Sequence, residues 1–262
     1  MLISSLRFSS AEFPYPARVS TLSKAVVPGP VARHPLTGLS PSEREYLQTG
    51  LISLIERPDF PCVGAKSALA QAGLAVETAA SITCARDDAR IHVRLVRWSA
   101  AYRPDDQPFR SLAVVFAGPG DLDEAAFEAA LWARLSSLSA IDHALGHTHD
   151  PAFSADPSDP DFALSFGGRS YFAVGLHPNA SRKARRAAAP TIVFNFHEQF
   201  AQLRKAERYE RMREVILARD TAFDGTPNPM IARHGEVSEA RQYSGRAVSD
   251  DWVCPFAPLV AS

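Results

Sequence analysis

Two apolar runs, Tyr171–Leu176 and Thr191–Phe196, have the length and the β-branched and aromatic content of buried strands. Each runs directly into a histidine, His177 and His197. Phe162–Phe166, Gly167-Gly168 and Arg169–Leu176 read as a hairpin. Ser111–Phe116 is a further buried strand, and the alternation over Ile91–Trp98 predicts another. Apolar residues at Phe127, Leu131, Leu135 and Leu138 make one stripe on a helix from about Asp123 to Leu138. Ser40-Pro41-Ser42-Glu43 is a start signal for a helix through about Ile55. Ala65–Ala72 reads as a short helix ended by Gly73, and His197–Asp220 as one long charged helix. Asp150–Asp161 reads as loop, and the Gly- and Pro-punctuated tail from Phe223 to Phe256 is expected to wrap back onto the site.

These elements predict an α+β fold: a single domain, 41–262, with a mixed or antiparallel sheet covered by helices. Residues 1–40, rich in Pro and Ser, read as an irregular arm. At 262 residues, one large domain is the expected organisation. Composition is that of an ordinary globular protein, with 46% hydrophobic and 22% charged residues. A net charge of -1 gives no reason to expect nucleic acid or an anionic membrane as partner. No apolar run approaches the roughly 18 residues needed to span a bilayer. Three cysteines, Cys62, Cys84 and Cys254, do not form a disulfide framework, which points to the cytoplasm. Motifs for nucleotide binding (GxGxxG, GxxxxGK[ST]) and for an α/β-hydrolase elbow (GxSxG) are absent.

The chemistry gathers around the two strand-end histidines. Between them, Ser181, Arg182, Lys183, Arg185 and Arg186 form a compact cationic loop. Imidazole beside several guanidiniums suits an anionic, metal-bearing cofactor such as haem, the imidazole ligating iron and the arginines pairing the carboxylates. The ordinary alternatives are a loop histidine and a solvated basic turn. His197 reads equally as a ligand or distal base and as a polar residue at a helix start, with Glu198 beside it. Cys62 reads as a helix-start thiolate or as a small buried apolar residue, and Cys254 likewise, while Cys84 reads as structural. His143, His147, His149 and Asp150 read as a surface cluster, because Gly146 ends the helix that would carry them. Asp220, Asp224, Glu236 and Glu239 flank Asn228-Pro229-Met230 and offer carboxylates to a guanidinium or amine. Asn228, Gln242 and Tyr243 are candidates for orienting a substrate.

Longer motifs narrow this set. FPCVGAKSAL (Phe60–Leu69), GGRSYFAVGLHPNASRKARR (Gly167–Arg186), PTIVFNFHEQFAQLR (Pro190–Arg204), NPMIARHGEVSEARQYSGR (Asn228–Arg246) and the closing WVCPF resemble the YqcI/YcgG family. The resemblance spans roughly residues 50–256. One branch of that family comprises haem-dependent N-hydroxylases of guanidines, including an L-arginine N-hydroxylase of D-cycloserine biosynthesis and a pre-guanitoxin N-hydroxylase. The HPNASRKARR and FNFHEQF forms look like that branch.

The resemblance implies a monooxygenase with haem b, most simply converting L-arginine to Nω-hydroxy-L-arginine. It would use O2 with an external donor such as a separate reductase or ferredoxin, or peroxide. A homodimer is compatible with it. Position assigns iron to His177, with Ser181, Arg182, Arg185 and Arg186 on the haem. His197 and Glu198 are then catalytic, and Asn228, Glu236, Glu239 and Gln242 bind substrate. His197 is the second choice for iron. The rival readings are a haem sensor or carrier without turnover, and a haem-free protein whose basic loop grips an anion.

Overall fold

A computed structural model describes residues 38–103, 109–232 and 235–256. The expected arm lies outside the described residues except for its last three. Those include Ser40, whose hydroxyl accepts the Glu43 N–H at 3.2 Å while the Glu43 carboxylate accepts the Ser40 N–H at 2.6 Å. This reciprocal cap starts α1 (Pro41–Glu56). Then follow α2 (Val63–Ala70), β1 (Leu74–Ala79), α3 (Asp88–Ala100), β2 (Ser111–Phe116), α4 (Glu124–Ala144), β3 (Leu164–Phe166), β4 (Arg169–Leu176) and β5 (Thr191–Phe196). The last helices are α5 (His197–Lys205), α6 (Tyr209–Asp224) and the single turn α7 (Ala240–Tyr243).

The strands form one mixed sheet in the order β1-β2-β5-β4-β3. β1 and β2 are parallel, joined through α3, and every other pairing is antiparallel. Alternation along β2 shows how the sheet is covered. Leu112, Val114 and Phe116 enter an aromatic-rich core with α3 and α4, whereas Ala113 and Val115 face α1 and the start of α2. Within the larger core Phe196 is stacked between Trp98 and Tyr102, at centroid distances of 4.4 and 4.2 Å. Such ring pairs contribute about 0.5–1.5 kcal/mol each beyond their buried area. The α+β class and the helix-covered mixed sheet match the sequence expectation.

Five element expectations change. Ile91–Trp98 lies in helix α3, not a strand. Ile91, His92, Leu95, Trp98 and Ser99 are buried while Val93 is exposed, which is helical periodicity. β1 was not expected. The long helix after His197 is two helices, broken where Glu207 takes φ 54. α4 runs to Ala144, two turns past Leu138. The short helix ends at Ala70, and Ala72 rather than Gly73 takes the left-handed backbone (φ 54). The loop at Asp150–Asp161 and the Gly167-Gly168 hairpin stand as read.

Candidate functional site

Antiparallel pairing decides how the two strand-end histidines relate. Tyr171 pairs with Phe196 and Leu176 with Thr191. His177 therefore leaves one end of the sheet and His197 the other. About seven residue steps of roughly 3.3 Å separate the two levels, on the order of 20 Å. One iron cannot take both.

His177 is buried, its ring stacked on Phe127 of α4 at 4.3 Å. Burial lowers its imidazole pKa, against the opposing pull of the Glu124 carboxylate and the Leu122 carbonyl. Its Nδ1 is buried without a hydrogen-bond partner. The cationic loop beside it is bonded into the chain. Arg182 is buried, donating to Asp220, lying 2.7 Å from Asp224 and donating to Thr226 Oγ1 at 3.1 Å. Arg185 donates to the carbonyls of Gly175 (2.9 Å), Gln242 (3.1 Å) and Tyr243 (3.4 Å), and burial brings its pKa down to about 10. Arg186 donates to the carbonyls of Ala180 and Ser181, while the Ser181 N–H and hydroxyl both donate to Glu124. Lys183 Nζ reaches the Phe223 carbonyl at 3.1 Å. These cations anchor the β4–β5 connection to α6 and the late loop. Nearby, a cleft of about 500 Å³ is lined by Asp121, Asp123, Glu124, Asn179, Ser181 and Arg246. Three carboxylates outnumber one guanidinium there, and Arg246 is itself bonded to Glu128. The cleft suits a cation better than a carboxylate-bearing cofactor.

His197 stands at the other end, at the first turn of α5, and is equally buried. Its Nε2 lies 2.9 Å from Glu239 Oε1, and the Tyr243 hydroxyl donates to the same oxygen. Burial and the Glu239 charge push the Tyr243 phenol well above its usual range, so it stays protonated as the donor. His197 Nδ1 is buried with no partner. Around the ring stand three half-buried phenylalanines, Phe153, Phe200 and Phe172, at 4.5, 6.2 and 6.5 Å. Cations gather at this end as well. Arg169 lies over the Phe196 ring, and its buried Nη1 makes no hydrogen bond, 3.8 Å from Glu198. Tyr209 at the start of α6 feels Arg204, Arg213 and Glu239 together, and Arg213 Nε is buried without a partner. An imidazole held by a carboxylate on one nitrogen, with the other nitrogen unpartnered, is the arrangement that metal-ligating histidines share.

The remaining candidates separate accordingly. Glu239 is committed to His197 and Tyr243 rather than open to a ligand. Glu198 is partly exposed, and Glu236 is exposed three residues before Glu239. Asn228 accepts the Met230 N–H at 3.0 Å and shapes its own loop. Gln242 meets Arg185 through its backbone carbonyl. Asp220 and Asp224 hold Arg182. Cys62 caps α2, its sulfur accepting the Ala65 N–H at 3.4 Å. Burial nevertheless raises its thiol pKa, which favours the reading as a small, half-buried apolar residue over that as a thiolate. Cys254 is pushed up to about 12, also by burial. Phe153, Arg169 and Arg213 carried no signal in the sequence. Their relation to His197 is tertiary, and only Glu239 and Tyr243, four residues apart on one turn, hinted at a shared face.

The family model for the YqcI/YcgG family matches residues 51–257, most of the chain. The chain belongs to the YqcI/YcgG family. No curated protein matches it, and no solved structure does. The match takes in both strand-end histidines, Glu239 and Tyr243. Among the described residues, no helix is long and apolar enough to cross a membrane.

Proposed function

We propose that this chain is a haem-dependent N-hydroxylase of a small guanidine, L-arginine being the simplest substrate, and that haem sits at the His197 end of the sheet. The observation that carries the reading is the buried His197 imidazole, held on Nε2 by Glu239 and unpartnered on Nδ1. The residues around it fit the group. His197 Nδ1 would take the iron, and the phenylalanines Phe153, Phe172 and Phe200 would meet the macrocycle. Arg169 and Arg213, each with a buried N–H still unbonded, would pair with the propionates. Haem when bound supplies the activation of O2 or peroxide and the oxidation of the guanidine nitrogen.

The chain's own residues do the rest. Glu239 would accept from Nε2–H, which fixes the ring orientation and leaves the Nδ1 lone pair for the iron. Tyr243 holds that carboxylate in place. The three phenylalanines keep bulk water from the imidazole. Glu198, partly exposed beside His197, and Glu236 would orient a guanidinium through paired N–H···O bonds. Electrons would come from a separate reductase or ferredoxin, unless peroxide serves.

The anion-binding alternative loses its support, because the basic loop is bonded within the chain. The test is an absorption spectrum of protein produced with a haem precursor, for the wild type, His177→Ala and His197→Ala, followed by a hydroxyguanidine assay on L-arginine. Wild type and His177→Ala should show a strong Soret band, and His197→Ala should lose it. Stoichiometric haem in His197→Ala overturns the placement. A wild type without a Soret band overturns the function. Bound haem with no product from any guanidine makes the protein a sensor or carrier.

A further inference from the structure

A second group of ligating side chains lies away from both strand-end histidines. His92 Nε2 of α3 is 2.6 Å from Asp142 Oδ1 near the end of α4, and both residues are buried. His147 follows α4 in the chain and is turned back toward it, its N–H donating to the Asp142 carbonyl at 3.2 Å. The two imidazole centroids are 5.9 Å apart. One ligating atom from each of His92, Asp142 and His147 can be chosen so that all three lie within 4.8 Å of one another.

We propose that His92, Asp142 and His147 form a binding site for a divalent first-row transition metal ion. Two imidazoles and one carboxylate are the donors that zinc and ferrous iron accept, whereas magnesium and calcium call for an oxygen shell. Bond lengths of about 2.0–2.1 Å in tetrahedral geometry put ligand atoms roughly 3.3 Å apart. The present spacing reaches that by a shift of under an ångström between His92 and Asp142. The ion takes the place of the proton between those two atoms, and that proton moves to Nδ1 of the same ring, so the ligating imidazole stays neutral.

Two features favour the ion over a plain His–Asp pair. His92 Nδ1 is buried without a partner, so nothing prevents the ring proton from residing there and freeing Nε2. The Gly167 N–H donates to Asp142 Oδ1 at 2.8 Å, the outer contact that orients a ligating carboxylate. Gly167 takes φ 61, and a Cβ there would lie 3.2 Å from Val96 of α3, so the β3–β4 turn is pressed against the site. An ion would therefore pin α3, α4 and that turn together. Three protein ligands leave positions open to water on the half-buried His147 side. His149 stands apart, its ring nitrogens bonded to the Asp150 and Ala163 carbonyls at 2.9 and 3.1 Å.

The test uses the full chain, stripped with a chelator and titrated calorimetrically with Zn2+, with Fe2+ under anaerobic conditions, and with Mg2+ as control. The wild type and His149→Ala should bind one equivalent of Zn2+ or Fe2+, keep it through desalting and melt at a higher temperature with it. Zn2+ should bind more tightly than Fe2+, as the general order of divalent affinities requires, and Mg2+ should not bind measurably. His147→Ala should bind at least roughly tenfold more weakly and lose the thermal shift. Its circular dichroism without metal shows whether it folds, and Asp142→Asn supplies the same reading if it does not. Absence of stoichiometric uptake by the wild type, or equal affinity in His147→Ala, overturns the site. Loss of metal in His147→Ala with the Soret band intact separates this site from the one at His197.

Discussion

Gly175 shows how one residue sets the distance between layers. A Cβ built there would lie 2.6 Å from Leu131 Cδ1, 2.8 Å from Phe127 Cε1 and 2.9 Å from the Tyr243 carbonyl oxygen. The missing side chain is what lets α4 and the α7 turn both close on β4. That closure lays Phe127 against His177 and brings Tyr243 within reach of Glu239. Gly175→Ala should therefore cost about 1–3 kcal/mol by overpacking. Because Tyr243 moves with its carbonyl, the His197–Glu239 contact should loosen as well. Chemical denaturation measures the first effect. A variant as stable as the wild type would mean that the layers can separate without cost.

Among the elements, the β4–β5 connection is the clearest case of charge serving structure. Four cations in five residues read as a binding surface, because sequence shows where charges are but not which partners the fold returns to them. Asp220 and Asp224, at the end of α6, sit some forty positions away and close on Arg182. Arg182→Met should cost roughly 3–5 kcal/mol, since it leaves the buried Asp220 and half-buried Asp224 carboxylates without their cation. Adding Asp220→Asn should recover part of that loss. Urea unfolding gives both numbers, and a single variant within 1 kcal/mol of wild type would make the cluster dispensable.

The same logic explains α3. Ile91, Val93 and Leu95 alternate as a strand would, but the pattern that holds is Ile91, Leu95 and Trp98 with His92 and Ser99 between. Reading the segment as a strand set His92 aside, and with it the partner that Asp142 and His147 find across the α3–α4 contact.

At the scale of the whole molecule, the sheet and most of its strands could be read from apolar runs and glycine turns, because those signals are local. The sites depend on which strand ends meet, and only the antiparallel β4–β5 register shows that His177 and His197 face away from each other. His177 has a lowered pKa, chiefly through burial, so below its ordinary value near 6.5 the unfolded chain takes up a proton that the folded chain refuses. Stability therefore rises with pH across the window from the lowered folded value up to about 6.5, and falls as acid is added, by at most about 1.4 kcal/mol per pH unit from this one group. His177→Gln removes the titration. Its difference in unfolding free energy from the wild type should be constant above about pH 7 and should shift in the variant's favour as pH drops through that window. Denaturant titrations at pH 8, 6 and 5 decide it, and parallel profiles for the two proteins would show that His177 titrates alike in the folded and unfolded chain.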